Sequence, residues 1–346
     1  MKSRIYILII MKKIIVMSLL LVCTFVNGQI IFSHESEIKG IENYNSYELD
    51  FFNHTDRLRL SGTLLSPKNP YKKIVIIVPG SGKDTRYAHH QLANEFLKNN
   101  IAVYRFDERG VGKSQGNFTS TIDRLTDDVS YCIKHLKSLP AFKDKEIGIL
   151  GHSLGGMASA IATTNSFNST TKVDFLIQIA SPVKNFSDAS MYQIKTLPQY
   201  KINNKSEKEI TSLLDTLIQI TNKNKYNNLI DIAIRDLGIE AIHKKGFQLK
   251  DIKFWSLTHI NLFKQDYETV YKQLQIPTIY LIGTQDKYVN PISEVSLLKK
   301  YNNPLITVKV MDNLNHYLTT GALQSDVIYN IDKKASDTII NWILKI

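Results

Sequence analysis

From residue 72 onward, short continuous apolar runs alternate with longer amphipathic stretches. Continuous runs rich in β-branched residues are typical of strands that are covered on both faces of a sheet, and the stretches between them are long enough for helices. The predicted strands lie within KKIVIIVPGSG, IAVYRF, EIGIL, VDFLIQIAS, IPTIYLIG and PLITVKVM. The predicted helices cover residues 88–99, 121–138, 154–165, 292–301 and 326–344. This alternation predicts an α/β fold, with a mostly parallel sheet and helices on both faces.

Two stretches that precede this region, YELDFF and RLRLSGTLLSP, alternate apolar and polar residues and predict half-exposed strands. In open parallel sheets, ligands bind beyond the carboxyl ends of the strands. The residues that follow each strand are therefore the first place to look for chemistry.

The alternation stops between Pro182 and Gln275, where no buried-strand run occurs. An insertion of this length between two core strands is too long for a loop. We expect a helical lid over residues 183–271, between core parts at 29–182 and 272–346; the alternative is that its helices are additional scaffold. The predicted helices of the insertion are SEKEITSLLDTLIQITNK, NNLIDIAIRDLGIEAIHKKG and INLFKQDYETVYKQL.

The amino terminus resembles an export signal, because two lysines precede an apolar run and small residues in MKKIIVMSLLLVCTFVNG. We expect residues 1–28 to be this signal, with Met1 or Met11 as the true start, and the protein to be periplasmic or secreted. Two alternatives stay open: the segment is retained as a membrane anchor, or Cys23 is lipidated. The protein would be attached to a membrane only in those two cases.

Composition narrows the class of protein further. The chain has 346 residues, of which 43% are hydrophobic, enough for a large core. Without the signal, Cys132 is the one remaining cysteine, so no intrachain disulfide is expected. The net charge of +11 includes Lys2, Arg4, Lys12 and Lys13 of the signal. The remaining charge is modest and scattered, without a basic stripe interleaved with aromatic residues, which argues against a nucleic-acid partner. We expect no cofactor and no metal, and the sequence leaves the oligomeric state open.

Two stretches match the pattern Gly-x-Ser-x-Gly, GILGHSLGG around Ser153 and GVGKSQG around Ser114. A predicted strand runs directly into the first stretch and a predicted helix follows it, which is typical of a nucleophile elbow. Ser114 has neither neighbour. A phosphate-binding loop around Ser114 is also disfavoured, because Asp107 stands where such a loop needs its first glycine. We expect Ser153 to be the nucleophile and Ser114 to lie in a structural turn.

A serine nucleophile needs a base and an orienting acid, which on this architecture follow it in the order acid, then histidine. His316, in VMDNLNHYL, is the one histidine after Ser153 that follows a core strand, since His243 and His259 lie in the insertion. Asp286 follows the preceding strand and is the predicted acid. Asp312 is the second choice, because it is too close in sequence to approach the ring of His316 well.

The oxyanion needs hydrogen-bond donors. The amide after the nucleophile, that of Leu154, is the first predicted donor. The amide of Ser81, in the loop PGSG after the strand IVIIV, is the second. We expect His152 to be a packing or hydrogen-bonding neighbour of Ser153 and not a second base.

Together, PGSGKDTR, FDERGVGKSQG, GHSLGG, LIGTQDKYV and NLNHYL resemble the α/β-hydrolase superfamily, specifically bacterial carboxylesterases with a helical cap that group with serine-aminopeptidase-like hydrolases. The resemblance covers residues 44–182 and 272–346. It implies Ser153, Asp286 and His316 as a catalytic triad. Two features depart from the sequence pattern of the family. Pro79-Gly80 replaces the His-Gly that often precedes the oxyanion residue, and the insertion matches no pattern of the family.

The resemblance implies hydrolysis of carboxylic esters with short or medium acyl chains through an acyl-serine, with a small-molecule ester as substrate. A peptidase or amidase with the same triad is the alternative; it would need carboxylates such as Glu240, Asp266 or Glu268 to bind a free amino group. A non-catalytic binding protein on the same fold is the third reading, against which the intact triad argues.

Overall fold

The computed structural model describes residues 32–164, 172–225, 231–323 and 327–346. The predicted export signal, with Met11 and Cys23, lies outside these residues. None of the helices within the described ranges is both long and apolar enough to cross a membrane.

One eight-stranded sheet forms the centre of the structure, with the strand order β1-β4-β6-β5-β7-β8-β9-β10, and a small antiparallel sheet pairs β2 with β3. From β6 to β10 all neighbouring strands are parallel, whereas β4 runs antiparallel to both β1 and β6. The predicted fold class, a mostly parallel α/β sheet, is thus confirmed. The strands are β1 (Asn45–Glu48), β2 (Phe51–Asn53), β3 (Leu58–Leu60), β4 (Gly62–Ser66), β5 (Lys73–Val78), β6 (Ala102–Phe106), β7 (Glu146–His152), β8 (Phe175–Ile179), β9 (Thr278–Gly283) and β10 (Ile306–Met311).

Helices cover both faces of the sheet, as the continuous apolar strands require. Along β5, Ile74 and Ile76 pack into one hydrophobic cluster while Val75 and Ile77 pack into the other. The α-helices are α1 (His90–Lys98), α2 (Ile122–Ser138), α3 (Leu154–Thr164), α4 (Phe186–Thr196), α5 (Glu207–Lys225), α6 (Asp231–Lys244), α7 (Leu257–Phe263), α8 (Tyr267–Lys272), α9 (Pro291–Tyr301) and α10 (Lys333–Ile343). Short 3-10 turns lie at Ile41–Asn43, Pro140–Phe142, Pro198–Tyr200 and Leu249–Asp251.

The segment between β8 and β9 is helical wherever it is described in regular structure, from α4 to α8. The same hydrophobic cluster includes Ile76 of the sheet, Leu213 of α5 and Tyr271 of α8. The inserted helices therefore share one apolar core with one face of the sheet.

Side-chain caps explain two differences from the predicted helices. The stretch 260–274 was expected to be one helix, but it holds the end of α7 and all of α8, because Asp266 accepts a hydrogen bond from the amide of Thr269 and starts a new helix. The helix predicted over 326–344 begins only at Lys333, after Asp332 caps it through the amide of Lys334. Helix α4 was not predicted.

The turn that contains Ser114 is structural, as predicted. Its hydroxyl donates to the carbonyl of Asp107 at 2.6 Å and accepts from the amide of Ser61 at 2.9 Å. The first bond closes the turn after β6 on itself, and the second ties it to Ser61, the residue between β3 and β4. The hydroxyl of Ser114 is therefore occupied by the backbone on both sides.

Candidate active site

Ser153 lies at the abrupt junction of β7 and α3, with β7 ending at His152 and α3 starting at Leu154. Its φ of 52° places a non-glycine residue in the left-handed region. The amide of Ser153 donates to the carbonyl of Ile179 at the end of β8 (2.9 Å), and its carbonyl accepts from the amide of Gly156 (3.0 Å). Hydrogen bonds on both sides thus hold the strained conformation typical of a nucleophile elbow.

The glycines on either side of Ser153 allow this turn to close. A Cβ on Gly151 would lie 2.4 Å from the Cα of Gly156, and a Cβ on Gly155 would lie 2.0 Å from the carbonyl oxygen of Pro79. Neither distance is compatible with a side chain. The close approach also brings the start of α3 against the end of β5, where the predicted oxyanion loop begins.

Asp286 and His316 form a buried pair. The Nδ1 atom of His316 lies 2.8 Å from Oδ2 of Asp286, with side-chain exposures of 5% and 0%. The other oxygen, Oδ1, accepts from the amides of Tyr288 (2.7 Å) and Val289 (2.9 Å). Because a carboxylate accepts hydrogen bonds, Nδ1 is the donor in this contact, and in a neutral ring Nε2 is then the acceptor. This tautomer is the one that a general base for a serine requires.

His152 connects the serine turn to the histidine loop. Its Nε2 lies 3.1 Å from the carbonyl oxygen of His316, and the two rings are 4.9 Å apart between centroids. Burial, together with the neighbouring His316 and His89, lowers the pKa of His152 well below its ordinary value, so the ring is neutral and donates through Nε2. His152 is thus a hydrogen-bonding neighbour, as predicted.

Ser153 itself is half-buried. Its Oγ makes no hydrogen bond to any other described residue. The predicted hydrogen bond between Ser153 and Nε2 of His316 is therefore not formed in this structure. Catalytic hydrogen bonds are often long without substrate and shorten in the complex. The neighbouring contacts, through His152, nevertheless place the two loops side by side.

The predicted oxyanion donors lie on either side of the serine. A Cβ built on Gly80 lies 3.5 Å from the Cβ of Ser153, which places the loop that continues into Ser81 next to Ser153. Leu154 opens α3, where the first amides have no partner within the helix. Among the described residues, no hydrogen bond occupies the amides of Ser81 and Leu154. Both amides are therefore free to donate to a ligand.

The alternative acid and histidines lie elsewhere. Asp312 is exposed, and so is His243 on α6. His259 belongs to α7, where its Nδ1 contacts Oγ of Ser256 at 2.8 Å and its ring packs against Phe186. Burial lowers the pKa of His259 to about 4.

Several tyrosines around the pair were not predicted from the sequence. Tyr192 of α4 donates its hydroxyl to the carbonyl of Asp286 at 2.6 Å. The rings of Tyr288 and Tyr317 lie 4.8 and 5.5 Å from that of His316 between centroids. Tyr192 could not be found from the sequence, because it is 94 positions from Asp286. Tyr288 and Tyr317 are close in sequence to Asp286 and His316, but no spacing pattern marks a tyrosine as a ring neighbour of the histidine.

A family model described as serine aminopeptidase, S33, matches residues 69–321, which is most of the chain. The chain belongs to this family. It is therefore an α/β hydrolase, as the motifs around Ser153 and His316 predicted.

Individual relatives of the hydrolase are distant. Thiohydrolase apmlB from Arthrinium phaeospermum is 32% identical over 113 residues, which are 32% of this chain and 36% of that protein. The chain thus matches about a third of the length of this curated relative.

Among solved structures, the esterase Pf2001 of Pyrococcus furiosus is similar, with a TM-score of 0.55 at 17% identity. The match covers 92% of this chain and 97% of the esterase chain. Acetyl xylan esterase 1 from Thermoanaerobacterium has a TM-score of 0.54 at 14% identity, with 90% and 86% covered. At these identities the two structures show the shared fold.

Proposed function

We propose that this hydrolase cleaves carboxylic esters with short or medium acyl chains through an acyl-serine intermediate. The observation that carries the proposal is the buried Asp286–His316 pair, which lies beside the strained turn of Ser153 and in which Nδ1 of the ring contacts the acid. The two esterases that share this fold support the choice of an ester as substrate.

In the first half-reaction, Oγ of Ser153 attacks the ester carbonyl while Nε2 of His316 takes its proton. The amides of Ser81 and Leu154 stabilise the oxyanion that forms. The carbon–oxygen bond to the alcohol then breaks, and the alcohol leaves with the proton from Nε2. In the second half-reaction Nε2 of His316 takes a proton from water as the water oxygen attacks the acyl carbonyl. The bond from the acyl carbon to Oγ of Ser153 then breaks, Oγ takes the proton back from Nε2, and the carboxylic acid is released. Asp286 fixes the ring throughout and stabilises the imidazolium.

An aminopeptidase or amidase activity with the same three residues is the second candidate, favoured by the description of the matched family. The carboxylates expected to bind a free amino group have other partners. Glu240 pairs with Lys244, Asp266 caps α8 and Glu268 accepts from the hydroxyl of Tyr301. These contacts favour the ester over the aminopeptidase substrate.

The role of the insertion is part of the proposal. Its first helix, α4, hydrogen-bonds the loop of Asp286 through three side chains, those of Tyr192, Gln193 and Thr196. We propose on this basis that residues 183–271 act as a lid beside the acid loop. That the protein is exported rests on the sequence of residues 1–28 alone.

The test is turnover of a panel of aryl esters and aminoacyl anilides by the wild type, Ser153→Ala and Ser114→Ala. We expect the wild type and Ser114→Ala to cleave the esters and Ser153→Ala to lose all but a trace of activity. Equal rates for the wild type and Ser153→Ala would contradict the proposal. Cleavage of anilides alone would favour the peptidase.

A further inference from the structure

The tip of the loop that carries Ser81 is not fixed by hydrogen bonds to other described residues. Ser81, Gly82 and Lys83 are exposed, and they make no hydrogen bond to any other described residue. Apart from Nζ of Lys83, which lies 5.6 Å from the centroid of the Phe118 ring, the position of the tip depends on what holds the two ends of the loop. One end is β5, which lies inside the sheet; the other end is the segment from Asp84 to Arg86.

The second end of the loop, from Asp84 to Arg86, is buried, and two of its amides are held by carboxylates that follow a strand of the sheet. The amide of Asp84 donates to Oε2 of Glu108 at 2.9 Å, and the amide of Arg86 donates to Oδ1 of Asp107, also at 2.9 Å. Both acceptors follow β6. Asp84 and Arg86 are thereby attached to the sheet, while Thr85 between them is attached elsewhere.

Thr85 is held by a segment that comes before the first strand. We name residues 32–38 the strap. Oε1 of Glu35 accepts from the amide of Thr85 (2.5 Å), and Oε2 of Glu35 accepts from its hydroxyl (2.8 Å). Glu35 is only 4% exposed. A buried amide that loses its partner carries the full cost of desolvation, so this contact is important for the local structure.

The strap also reaches Asp84. Nε2 of His34 lies 2.9 Å from Oδ1 of Asp84, and the hydroxyl of Tyr329 donates to the other oxygen at 2.8 Å. The ring of Tyr329 lies 5.7 Å from that of Tyr317, the residue after His316. The carboxylate of Asp84 therefore joins the strap, the Ser81 loop and the region of the histidine loop.

A metal ion is the competing explanation for this cluster, because ligand atoms of His34, Glu35 and Asp84 lie within 4.8 Å of one another. The hydrogen bonds to these carboxylates argue against a metal ion. Both oxygens of Glu35 accept hydrogen bonds from Thr85, and both oxygens of Asp84 have a partner in His34 or Tyr329. An ion would have to displace these contacts, whereas a hydrogen-bonded clamp uses all of them.

We infer that Glu35 and His34 are positioning residues, which fix the Ser81 amide for oxyanion binding by holding Thr85 and Asp84. This inference rests on the proposed function in one respect, the role of the Ser81 amide. The strap touches neither Ser153 nor His316 in the contacts described, so it acts through the loop alone.

The test compares Glu35→Ala with Glu42→Ala in ester turnover. Glu42 is exposed and does not contact the loop, so its variant should match the wild type. For Glu35→Ala we expect kcat to fall by about tenfold with KM changed by less than about twofold, because a displaced oxyanion donor acts on the transition state. Glu35→Gln keeps an acceptor for the Thr85 amide and should recover part of the loss.

Deuterium uptake by residues 79–86 gives a readout that does not depend on the reaction. Glu35→Ala should raise it and Glu42→Ala should not. If Glu35→Ala does not fold, His34→Ala replaces it in both assays, since the His34 side chain is 20% exposed. A folded variant with wild-type kcat and wild-type uptake overturns the inference and leaves the esterase proposal intact. If the wild type and Ser153→Ala are equally inert, the esterase proposal fails and uptake alone decides whether the strap holds the loop.

Discussion

At the scale of single residues, the carboxylate of Asp286 decides which nitrogen of His316 faces the acid and which is left for a substrate or serine. Two backbone amides occupy Oδ1, which leaves Oδ2 to accept from Nδ1 of the ring. An acid with one free oxygen and a fixed orientation can hold only one tautomer of the histidine.

This arrangement predicts the effect of Asp286→Asn. The amide oxygen of the new side chain must face the two backbone amides, so its NH2 group faces His316 and moves the ring proton to Nε2. A protonated Nε2 cannot accept the proton of Ser153. We expect kcat for an aryl ester to fall on the order of 10³- to 10⁴-fold, as measured by steady-state kinetics.

The matched control is Asp312→Asn, since Asp312 is exposed. Its kcat should stay at the wild-type level. A wild-type rate for Asp286→Asn, or a loss confined to Asp312→Asn, would show that the acid is wrongly assigned.

Asp286 and His316, which the structure pairs, could be selected from the sequence because each follows its own strand after Ser153 in a fixed order. It could not locate Glu35, Tyr192 or Tyr329. Their partners are 50 or more positions away in the chain, and a single glutamate or tyrosine carries no spacing that would mark it.

At the scale of elements, the two Gly-x-Ser-x-Gly turns differ in what their hydroxyls contact. The hydroxyl of Ser114 bridges two backbone groups, whereas that of Ser153 has no partner among the described residues. The flanking strand and helix were enough to separate the turns in sequence. The boundaries of the inserted helices were harder to predict. The caps at Ser256 and Asp266 start helices inside a segment whose apolar pattern is continuous.

The insertion is joined to the core at the start of α2. Asn261 of α7 accepts from the amide of Asp123 at 3.1 Å, and its side-chain amide donates to the Asp123 carboxylate. Asn261 thus serves as the cap that α2 lacks locally, since Thr121 makes no side-chain cap bond. Gln265 adds a second donor to the same carboxylate.

This contact predicts that Asn261→Ala lowers the free energy of unfolding by about 1–2 kcal/mol, the usual effect of losing a helix cap and a buried hydrogen bond. Urea denaturation measures it. Asn222→Ala, on an exposed position of α5, is the control and should change stability by less than about 0.5 kcal/mol. Equal stabilities of the two variants would mean that Asn261 does not anchor the insertion.

At the scale of the whole molecule, the continuous apolar strands were sufficient to predict the fold class. Each residue of β5 from Ile74 to Val78 is buried, which only a sheet covered on both faces produces. The packing of the inserted helices into the same core could not be predicted, because amphipathic periodicity shows that a helix has an apolar face but not what covers it.

Buried histidines predict how the stability of the molecule depends on pH. Burial lowers the pKa of His259 to about 4 and that of His89 to about 3. Below the ordinary value of 6.5 the unfolded chain binds protons that the folded chain does not, so stability falls as the pH falls from 6.5 toward these values.

His259→Gln removes one of these groups. Between about pH 7 and about pH 5 its free energy of unfolding should fall by about 2 kcal/mol less than that of the wild type. Urea unfolding at the two pH values measures the difference. Parallel losses in both proteins would show that His259 takes up its proton in the folded state as readily as in the unfolded state.

The central claim is that Ser153 is the nucleophile of a serine hydrolase, and covalent trapping tests it most directly. A fluorophosphonate forms a bond from phosphorus to the oxygen of an activated serine and releases fluoride. Peptide mass spectrometry after labelling should place a single adduct on Ser153 and none on the Ser153→Ala variant. An adduct on Ser114, or an unlabelled folded protein, would contradict the account.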